Sequence, residues 1–261
     1  MTSRIAPLLG GLFCATAMTL SAQTFTLDDS APFDVNTYRH TNDFAVGEII
    51  FNNGTGKATD PYSINPVSLK ETVVTLASGE VTVYDVCAEM FVGPTGSSTY
   101  SVSGGLGSLT STQQLEVRKL FSNTLGDFIA AQAISYNDAS IVGAAIQLAL
   151  WEIVEDPLGV STPSLDEDNA NAGQLSIDGF NTGPPNYTGT TRSAIDQAEI
   201  YLTALRNDTW VDEGGFNYYY ADATSEQDRI WVTAGINVIP EPSTALLSLV
   251  GFAFVLRRRR H

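Results

Sequence analysis

An almost entirely apolar segment, residues 141–151 (IVGAAIQLALW), limits what this chain can fold into more than any other feature. Its one polar side chain is Gln147. A helix that is apolar on all sides must be surrounded by the rest of the protein, and an amide without partners there would cost about 1–3 kcal/mol. On helical spacing Gln147 shares a face with Gly143, Ala144 and Trp151. We therefore expect another part of the chain to approach the amide over these small residues.

Three helices are predicted in the middle of the chain. The second contains the apolar segment and occupies about residues 138–155, and the third is capped by Thr190 or Thr191 and ends at about residue 206. The first begins at residues 111–114 (STQQ), which resemble a capping box. Its apolar stripe consists of Val117, Leu120, Phe121, Thr124, Leu125, Phe128 and Ile129.

Strands are predicted on both sides of the helices. Residues 68–76 and 81–92 flank a Ser-Gly pair and are typical of a hairpin. After the helices, residues 216–220 form a short aromatic run and residues 230–238 alternate between apolar and other side chains. The order of β, helical and β segments therefore predicts an α+β fold.

We predict a single domain spanning residues 23–239, with its helices within about residues 111–207. The sheet is expected to form a β-sandwich or a barrel-like structure that carries the helices as an insert. Residues 94–107, rich in Gly and Ser, and residues 157–189 are predicted to be loops.

Both ends of the chain have the pattern of processing segments. Arg4 precedes an apolar stretch that is followed by Leu20, Ser21 and Ala22, which is typical of a secretory signal peptide over residues 1–22. The apolar stretch is shorter than the roughly 20 residues that usually cross a bilayer. We expect cleavage near Ala22.

At the other end, Pro240, Glu241 and Pro242 precede an apolar run over residues 245–256. The prolines prevent the preceding strand from continuing. The run predicts a short transmembrane helix, and basic residues at its end favour the cytoplasmic side of a membrane. The basic residues are Arg257, Arg258, Arg259 and Arg260.

This tail resembles the PEP-CTERM sorting signal of Gram-negative bacteria. The resemblance covers residues 240–261 and implies that an exosortase-type membrane protease processes the tail. The protein would then be exported, held briefly in the inner membrane by its C-terminal helix, and released to the cell surface or extracellular matrix. The resemblance also implies a gene that lies beside exopolysaccharide genes, as is often the case for proteins with this tail.

The charge of the chain excludes one class of partner. With 13 Lys+Arg against 29 Asp+Glu, the formal charge is −16. Nucleic-acid binding needs a basic face to neutralise phosphates, so we expect none. An acidic surface would instead attract cations or cationic partners.

Cys87 is the only cysteine left once the signal peptide, which contains Cys14, is removed. An intramolecular disulfide is then excluded, and Cys87 is a buried inert residue, an intermolecular bridge or a reactive group. Strand alternation places it on the same face as Asp85 and Glu89, whose charges would disfavour a thiolate. His40 is the one histidine before the tail, so a Cys/His hydrolase is disfavoured.

The segments around Cys87 and Gln147 are similar to the thioester domains of bacterial surface adhesins. The similarity lies in Tyr-x-x-Cys-x-Glu at residues 84–89 and in Ala-x-Gln-x-Ala-Leu-Trp-Glu-Ile at residues 145–153. It implies that the Cys87 sulfur attacks the Gln147 carboxamide carbon, releases ammonia and forms an internal thioester. The implied supporting shell is Tyr84, Glu89, Gly143 and Trp151.

Such a thioester would acylate an amine or hydroxyl on a surface or matrix target. The protein would react once, as an adhesin does, and would not be an enzyme; no metal or cofactor is expected. Two other readings stay open. One is a non-reactive structural or exopolysaccharide-associated envelope protein with the same fold, and the other is a secreted hydrolase without a recognisable catalytic set.

Overall fold

The computed structural model describes the central part of the chain in segments. These are residues 23–28, 38–40, 49–53, 61–64, 69–76, 79–90, 97–155, 164–166, 175–180, 187–223 and 227–234. The predicted signal peptide (residues 1–22) and the predicted sorting tail lie outside the described residues. The tail includes Pro240, Glu241, Pro242, Arg257, Arg258, Arg259 and Arg260.

The described strands form two antiparallel sheets. The larger sheet has seven strands in the order β1-β7-β9-β10-β6-β5-β2. These strands are β1 (Gln23–Asp28), β2 (Tyr38–His40), β5 (Lys70–Leu76), β6 (Gly79–Cys87), β7 (Ser97–Gly104), β9 (Phe216–Asp222) and β10 (Arg229–Ala234). The smaller sheet, of order β4-β3-β8, contains β3 (Ile49–Asn53), β4 (Pro61–Ile64) and β8 (Leu175–Ile177).

Three helices lie between β7 and β9 in the chain, except that β8 separates the last two. They are α1 (Ser111–Ile134), α2 (Tyr136–Glu155) and α3 (Gly189–Arg206). Helix α2 packs against both α1 and α3 and is buried along most of its length, as its sequence predicts. The three helices and the antiparallel sheets confirm the α+β fold.

Aromatic side chains join α1 to the large sheet. Tyr84 of β6 meets Phe128 edge to face, with ring centroids 6.4 Å apart. Tyr218 of β9 lies against Phe121 at 6.2 Å. Because Tyr84 and Tyr218 both contact α1, the even-numbered residues of β6, β9 and β10 face that helix.

The helix boundaries differ from the predicted ones by a few residues. The capping box of α1 is formed by Thr110 and Gln113, one position before the predicted one. Helix α3 begins at Gly189 and its N-cap is Thr188, which makes no side-chain cap. Ile129 was predicted to belong to the buried stripe of α1, but it is 43% exposed. Helical spacing alone does not determine how far the buried stripe extends around the helix, so a residue predicted at its edge can be exposed.

Two predicted loops contain strands. Residues 97–104 pair with both β1 and β9 although they are rich in Ser and Gly. Residues 175–177 pair with β3. These strands have weak local propensity and are formed by their neighbours in the sheet, so the loop prediction was wrong at both places.

The hairpin prediction is confirmed, with one change. Strands β5 and β6 pair in antiparallel register from Leu76 opposite Gly79 to Lys70 opposite Asp85. Strand β6 was predicted to continue to residue 92, but it ends at Cys87. Within the described residues, no helix has the length and apolarity needed to cross a bilayer.

Candidate functional site

Within the described residues, the end of strand β6 has no neighbouring strand on the side of β5. At this end of the hairpin, Lys70 and Asp85 are the last residues of β5 and β6 that lie opposite each other. Leu69, which precedes Lys70, donates its N–H to the carbonyl oxygen of Gly143 in α2 at 3.3 Å. The backbone N–H and C=O of Cys87 on this side are therefore not paired by β5.

Gln147 occupies this open edge. The N–H of Cys87 donates to Gln147 Oε1 at 2.9 Å, and Gln147 Nε2 donates to the carbonyl oxygen of Cys87 at 2.7 Å. Gln147 is completely buried, and Cys87 is 7% exposed. The carboxamide thus replaces the peptide group of a missing strand, and both buried polar groups are satisfied.

Helix periodicity makes this contact reachable. Gly143 and Gln147 are four residues apart and lie on the same side of α2. Gly143 contributes its carbonyl oxygen to Leu69, and one turn later Gln147 meets Cys87. The same face of α2 therefore binds the ends of both β5 and β6.

The two hydrogen bonds bracket the Cα of Cys87, which carries the sulfur two bonds away. The Gln147 amide therefore lies against the Cys87 backbone. The N–H that points at Oε1 also polarises the amide carbonyl and lies where negative charge would develop on that oxygen during an attack.

The other residues of the predicted supporting shell are Trp151, Tyr84 and Glu89, and they lie in different parts of the fold. Trp151 is buried in α2 one turn after Gln147. Tyr84 faces α1, and burial, with a smaller contribution from the charge of Glu71, raises the pKa of its hydroxyl. Glu89 lies beyond the end of β6, where its Oε2 accepts the N–H of Asp228 at 3.1 Å.

Carboxylates other than Glu89 also bind backbone N–H groups where β6 ends. Glu155, at the end of α2, accepts the N–H of Met90 at 3.3 Å. Burial raises the pKa of Glu155, the bond from Met90 opposes this, and the charge of Glu89 raises it further. Asp228 accepts Tyr220 Oη and the N–H of Ala223, each at 2.8 Å.

The described residues contain no group of three or more His, Cys, Asp and Glu side chains placed to hold a metal ion. His40 lies on β2, and β5 separates that strand from β6 in the sheet.

Sequence reasoning missed Arg229. This residue begins β10 and forms an ion pair with Asp85 at 2.8 Å, in which both side chains are 1% exposed. Asp85 was expected to place an unbalanced negative charge on the Cys87 face, but its charge is neutralised. The available signal was a basic residue directly before an alternating apolar strand in a chain with only 13 basic residues.

A shallow cleft of about 260 Å³ lies elsewhere, along α3. Its lining residues are Phe180, Asp196, Glu199, Ile200 and Thr203. None of them belongs to β6 or α2, so the cleft is not part of the contact between Cys87 and Gln147.

Comparison of the chain with protein-family models, with curated proteins and with solved structures gave no match.

Proposed function

We propose that this chain is an exported protein that attaches covalently to surface or matrix nucleophiles through a thioester between Cys87 and Gln147. The observation that carries the proposal is the pair of hydrogen bonds that holds the Gln147 amide against Cys87 inside the protein. The similarity to adhesin thioester domains supports the same chemistry.

Formation of the bond is balanced without any cofactor. The Cys87 sulfur attacks the amide carbon of Gln147, and the oxygen becomes negatively charged while the N–H of Cys87 stabilises it. The C–N bond then breaks, the thiol proton leaves with the nitrogen, and ammonia is released. The buried surroundings exclude water, which would otherwise hydrolyse the thioester.

Attachment takes place at the same carbon, with the Cys87 sulfur as the leaving group. An amine or hydroxyl of the target attacks the Gln147 acyl carbon, the C–S bond breaks, and Cys87 is released as a thiol. The target is then joined to Gln147 by an amide or an ester. Because nothing regenerates the thioester, each molecule reacts once and is not an enzyme.

The intact mass of the chain, purified without amines or reducing agents, tests this proposal. We expect wild type to be lighter than its sequence by about 17 Da, the mass of ammonia, and to gain methylamine at Gln147 with release of one thiol. Cys87→Ala is the matched control because both hydrogen bonds use the Cys87 backbone, which the substitution keeps. Identical masses after allowance for the substitution, and identical responses to methylamine, would contradict the proposal.

The alternative is a non-reactive structural or exopolysaccharide-associated envelope protein. One observation favours it: the two hydrogen bonds already satisfy the Gln147 amide without any covalent bond. Under this alternative Cys87→Ala leaves surface attachment unchanged, whereas the thioester proposal requires attachment to be lost.

The route to the surface is proposed from the ends of the sequence. Residues 1–22 would direct export, and residues 240–261 would hold the protein in the inner membrane until an exosortase-type protease removes them. The intervening residues 23–239 would form one domain in which a sandwich or barrel-like sheet carries the helices. Accumulation of the unprocessed chain in the membrane of a strain that lacks the protease would support this route, and unchanged release would contradict it.

A further inference from the structure

The ion pair of Asp85 and Arg229 lies on the face of β6 that carries the Cys87 sulfur. Directly past the ends of β6 and β10, Ala88 N–H donates to the Asp228 carbonyl oxygen at 2.7 Å. The adjacent pair, Cys87 and Arg229, is therefore a non-hydrogen-bonded pair.

In a non-hydrogen-bonded pair the two side chains stand on the same face and lie closest together. Directly opposite residues have Cβ atoms about 4.5–5.5 Å apart. Asp85, two residues before Cys87 on the same strand, is about 6.6 Å away along the backbone. Arg229 is therefore the directly opposite neighbour of Cys87, and its Nη1 lies 2.8 Å from Asp85 Oδ2.

The residues opposite Arg229 and Asp85 in the sheet are buried. On β9 the residue opposite Arg229 is Ala221, a small and completely buried side chain. Trp231, opposite Asp85, is also buried. Among the residues whose burial the structure describes, Arg229 is the one buried basic side chain.

The other charged groups around Cys87 have hydrogen-bond partners of their own. Glu89 accepts the N–H of Asp228, Glu155 accepts the N–H of Met90, and Glu152 accepts the N–H of Ser164. The Asp228 carboxylate is bound by Tyr220 and Ala223. On β5, Lys70 is in register with Asp85, and Glu71 with Tyr84.

We propose that Arg229, held in place by Asp85, is a positioning residue that stabilises negative charge on the Cys87 sulfur. Its role rests on the proposed thioester, in which sulfur carries that charge twice. When the sulfur attacks Gln147 it does so as a thiolate. When a target amine opens the thioester, the C–S bond breaks with its electron pair on sulfur, and the proton lost by the amine passes to water.

The test is a titration of the Cys87 thiol in the full-length chain, followed by the ultraviolet absorbance of the thiolate with Cys87→Ala subtracted. Wild type opened with methylamine is compared with the double variant Asp85→Asn/Arg229→Gln, which keeps a hydrogen-bonding pair but removes both charges. We expect the thiol pKa to be higher in the double variant by about one unit or more. The rate of opening by methylamine should be lower by about tenfold.

Single variants test the direction of the change in the thiol pKa. Asp85→Asn removes the anion and leaves the cation, so the thiol pKa should fall below that of wild type. Arg229→Lys keeps the charge and should restore a titration close to that of wild type. Equal thiol pKa values in folded wild type and double variant overturn the proposal. If the double variant does not fold, an unchanged or raised pKa in Asp85→Asn overturns it.

Failure of this inference is separable from failure of the proposed function. If the chain never loses ammonia, the Cys87 thiol is titrated in the untreated protein, and the same comparison of variants applies. A loss of ammonia together with an unchanged thiol pKa would instead sink only the role of Arg229.

Discussion

A carboxamide is the side chain that most closely copies a peptide group, and Gln147 uses this likeness at the open edge of β6. It donates to the Cys87 carbonyl oxygen and accepts the Cys87 N–H, as a backbone neighbour would. An apolar side chain of similar size could fill the space but would leave both backbone groups buried without partners. The identity of the residue is therefore fixed by hydrogen bonding as well as by any reaction.

Replacement of Gln147 by Met should destabilise the protein by at least about 2 kcal/mol, since each buried group left without a partner costs roughly 1–3 kcal/mol. The measurement is urea unfolding in a Cys87→Ala background, which excludes any contribution from a thioester. Gln132→Met is the matched control, because Gln132 Nε2 is buried and has no hydrogen-bond partner within the described residues. Equal unfolding midpoints for the two variants would contradict the proposed role of the Gln147 hydrogen bonds.

The sequence is informative about Gln147 because one polar residue in an apolar helix must have a partner. Cys87 stands out because it is the only cysteine outside the predicted signal peptide. Arg229 could not be identified as the neighbour of Asp85, since 144 residues separate the two. Their pairing depends on the order of strands in the sheet, which local patterns do not encode.

At the scale of the elements, the side chain of Gln113 connects the start of α1 with the end of α2. Gln113 Oε1 accepts the Thr110 N–H at 3.0 Å and so completes the capping box of α1. Its Nε2 donates to the carbonyl oxygens of Ile153 and Val154, at 3.2 and 2.9 Å, in the last turn of α2. One residue therefore satisfies the start of one helix and the end of the next.

Gln113→Ala should lower the free energy of unfolding by about 1–2 kcal/mol, because it removes hydrogen bonds at both helix ends. Gln114→Ala is the control because it makes the same substitution at the next position of the helix. The Nε2 of Gln114 donates to the Leu109 carbonyl oxygen at 2.9 Å and does not connect the two helices. We expect the control to lose about 0.5–1 kcal/mol in thermal or urea unfolding. A loss for Gln113→Ala no larger than that of the control would show that the link between the helices does not matter.

The junction of α2 with the end of β6 should respond to pH through Glu155. Its pKa is raised above the ordinary 4.5, chiefly by burial. A carboxyl group with a raised pKa stabilises the fold while it is protonated, and this contribution is lost as the pH rises through the folded-state pKa. Glu155→Gln should therefore gain stability relative to wild type as the pH rises above 4.5, in unfolding experiments repeated across pH.

Asp208→Asn provides a control of opposite sign. The hydrogen bond and the charge of Lys119 lower the pKa of Asp208 below its ordinary 3.8. Its stabilising contribution is present above that value and is lost as the pH falls through the folded-state pKa. Asp208→Asn should thus be less stable than wild type at neutral pH and approach it in acid. The same pH trend for both variants would contradict these assignments.

Element boundaries show how far local patterns reach. Helices α1 and α3 are predictable from their apolar stripes, α2 from its long apolar run, and the hairpin of β5 and β6 from its two strand-like segments around a turn. Strand β7 is not predictable, since its Ser- and Gly-rich sequence becomes a strand only between β1 and β9. Strand β8 has three residues and pairs with β3, which lies far away in the sequence.

At the scale of the whole molecule, the formal charge of −16 would influence which targets of the proposed reaction come close. An acidic surface attracts cationic partners and repels anionic polymers, and salt screens both effects. The chemistry at Gln147 would act on any accessible amine, so long-range attraction would select among targets before contact.

Acylation of a lysine-rich peptide should therefore slow by about tenfold or more between low and high salt. Hydroxylamine, which is largely uncharged at neutral pH, is the control nucleophile and should react at nearly the same rate in both. The measurement is the appearance of acylated product by mass spectrometry. Equal salt dependence for the two nucleophiles would mean that the net charge does not guide the target.

Under the proposed function, the carbonyl oxygen of Cys87 would bind the possible products differently. It accepts the Nε2 hydrogen of Gln147, and conversion to a thioester removes that donor together with the ammonia. Capture of an amine returns one N–H to the same position, whereas capture of an alcohol leaves an ester with no hydrogen to give. An unpaired buried carbonyl costs about 1–3 kcal/mol, so amine-linked product should unfold at higher denaturant concentration than ester-linked product. Because the Cys87 carbonyl oxygen needs a hydrogen-bond donor, proteins and aminated polymers would give a more stable folded product than plain polysaccharide.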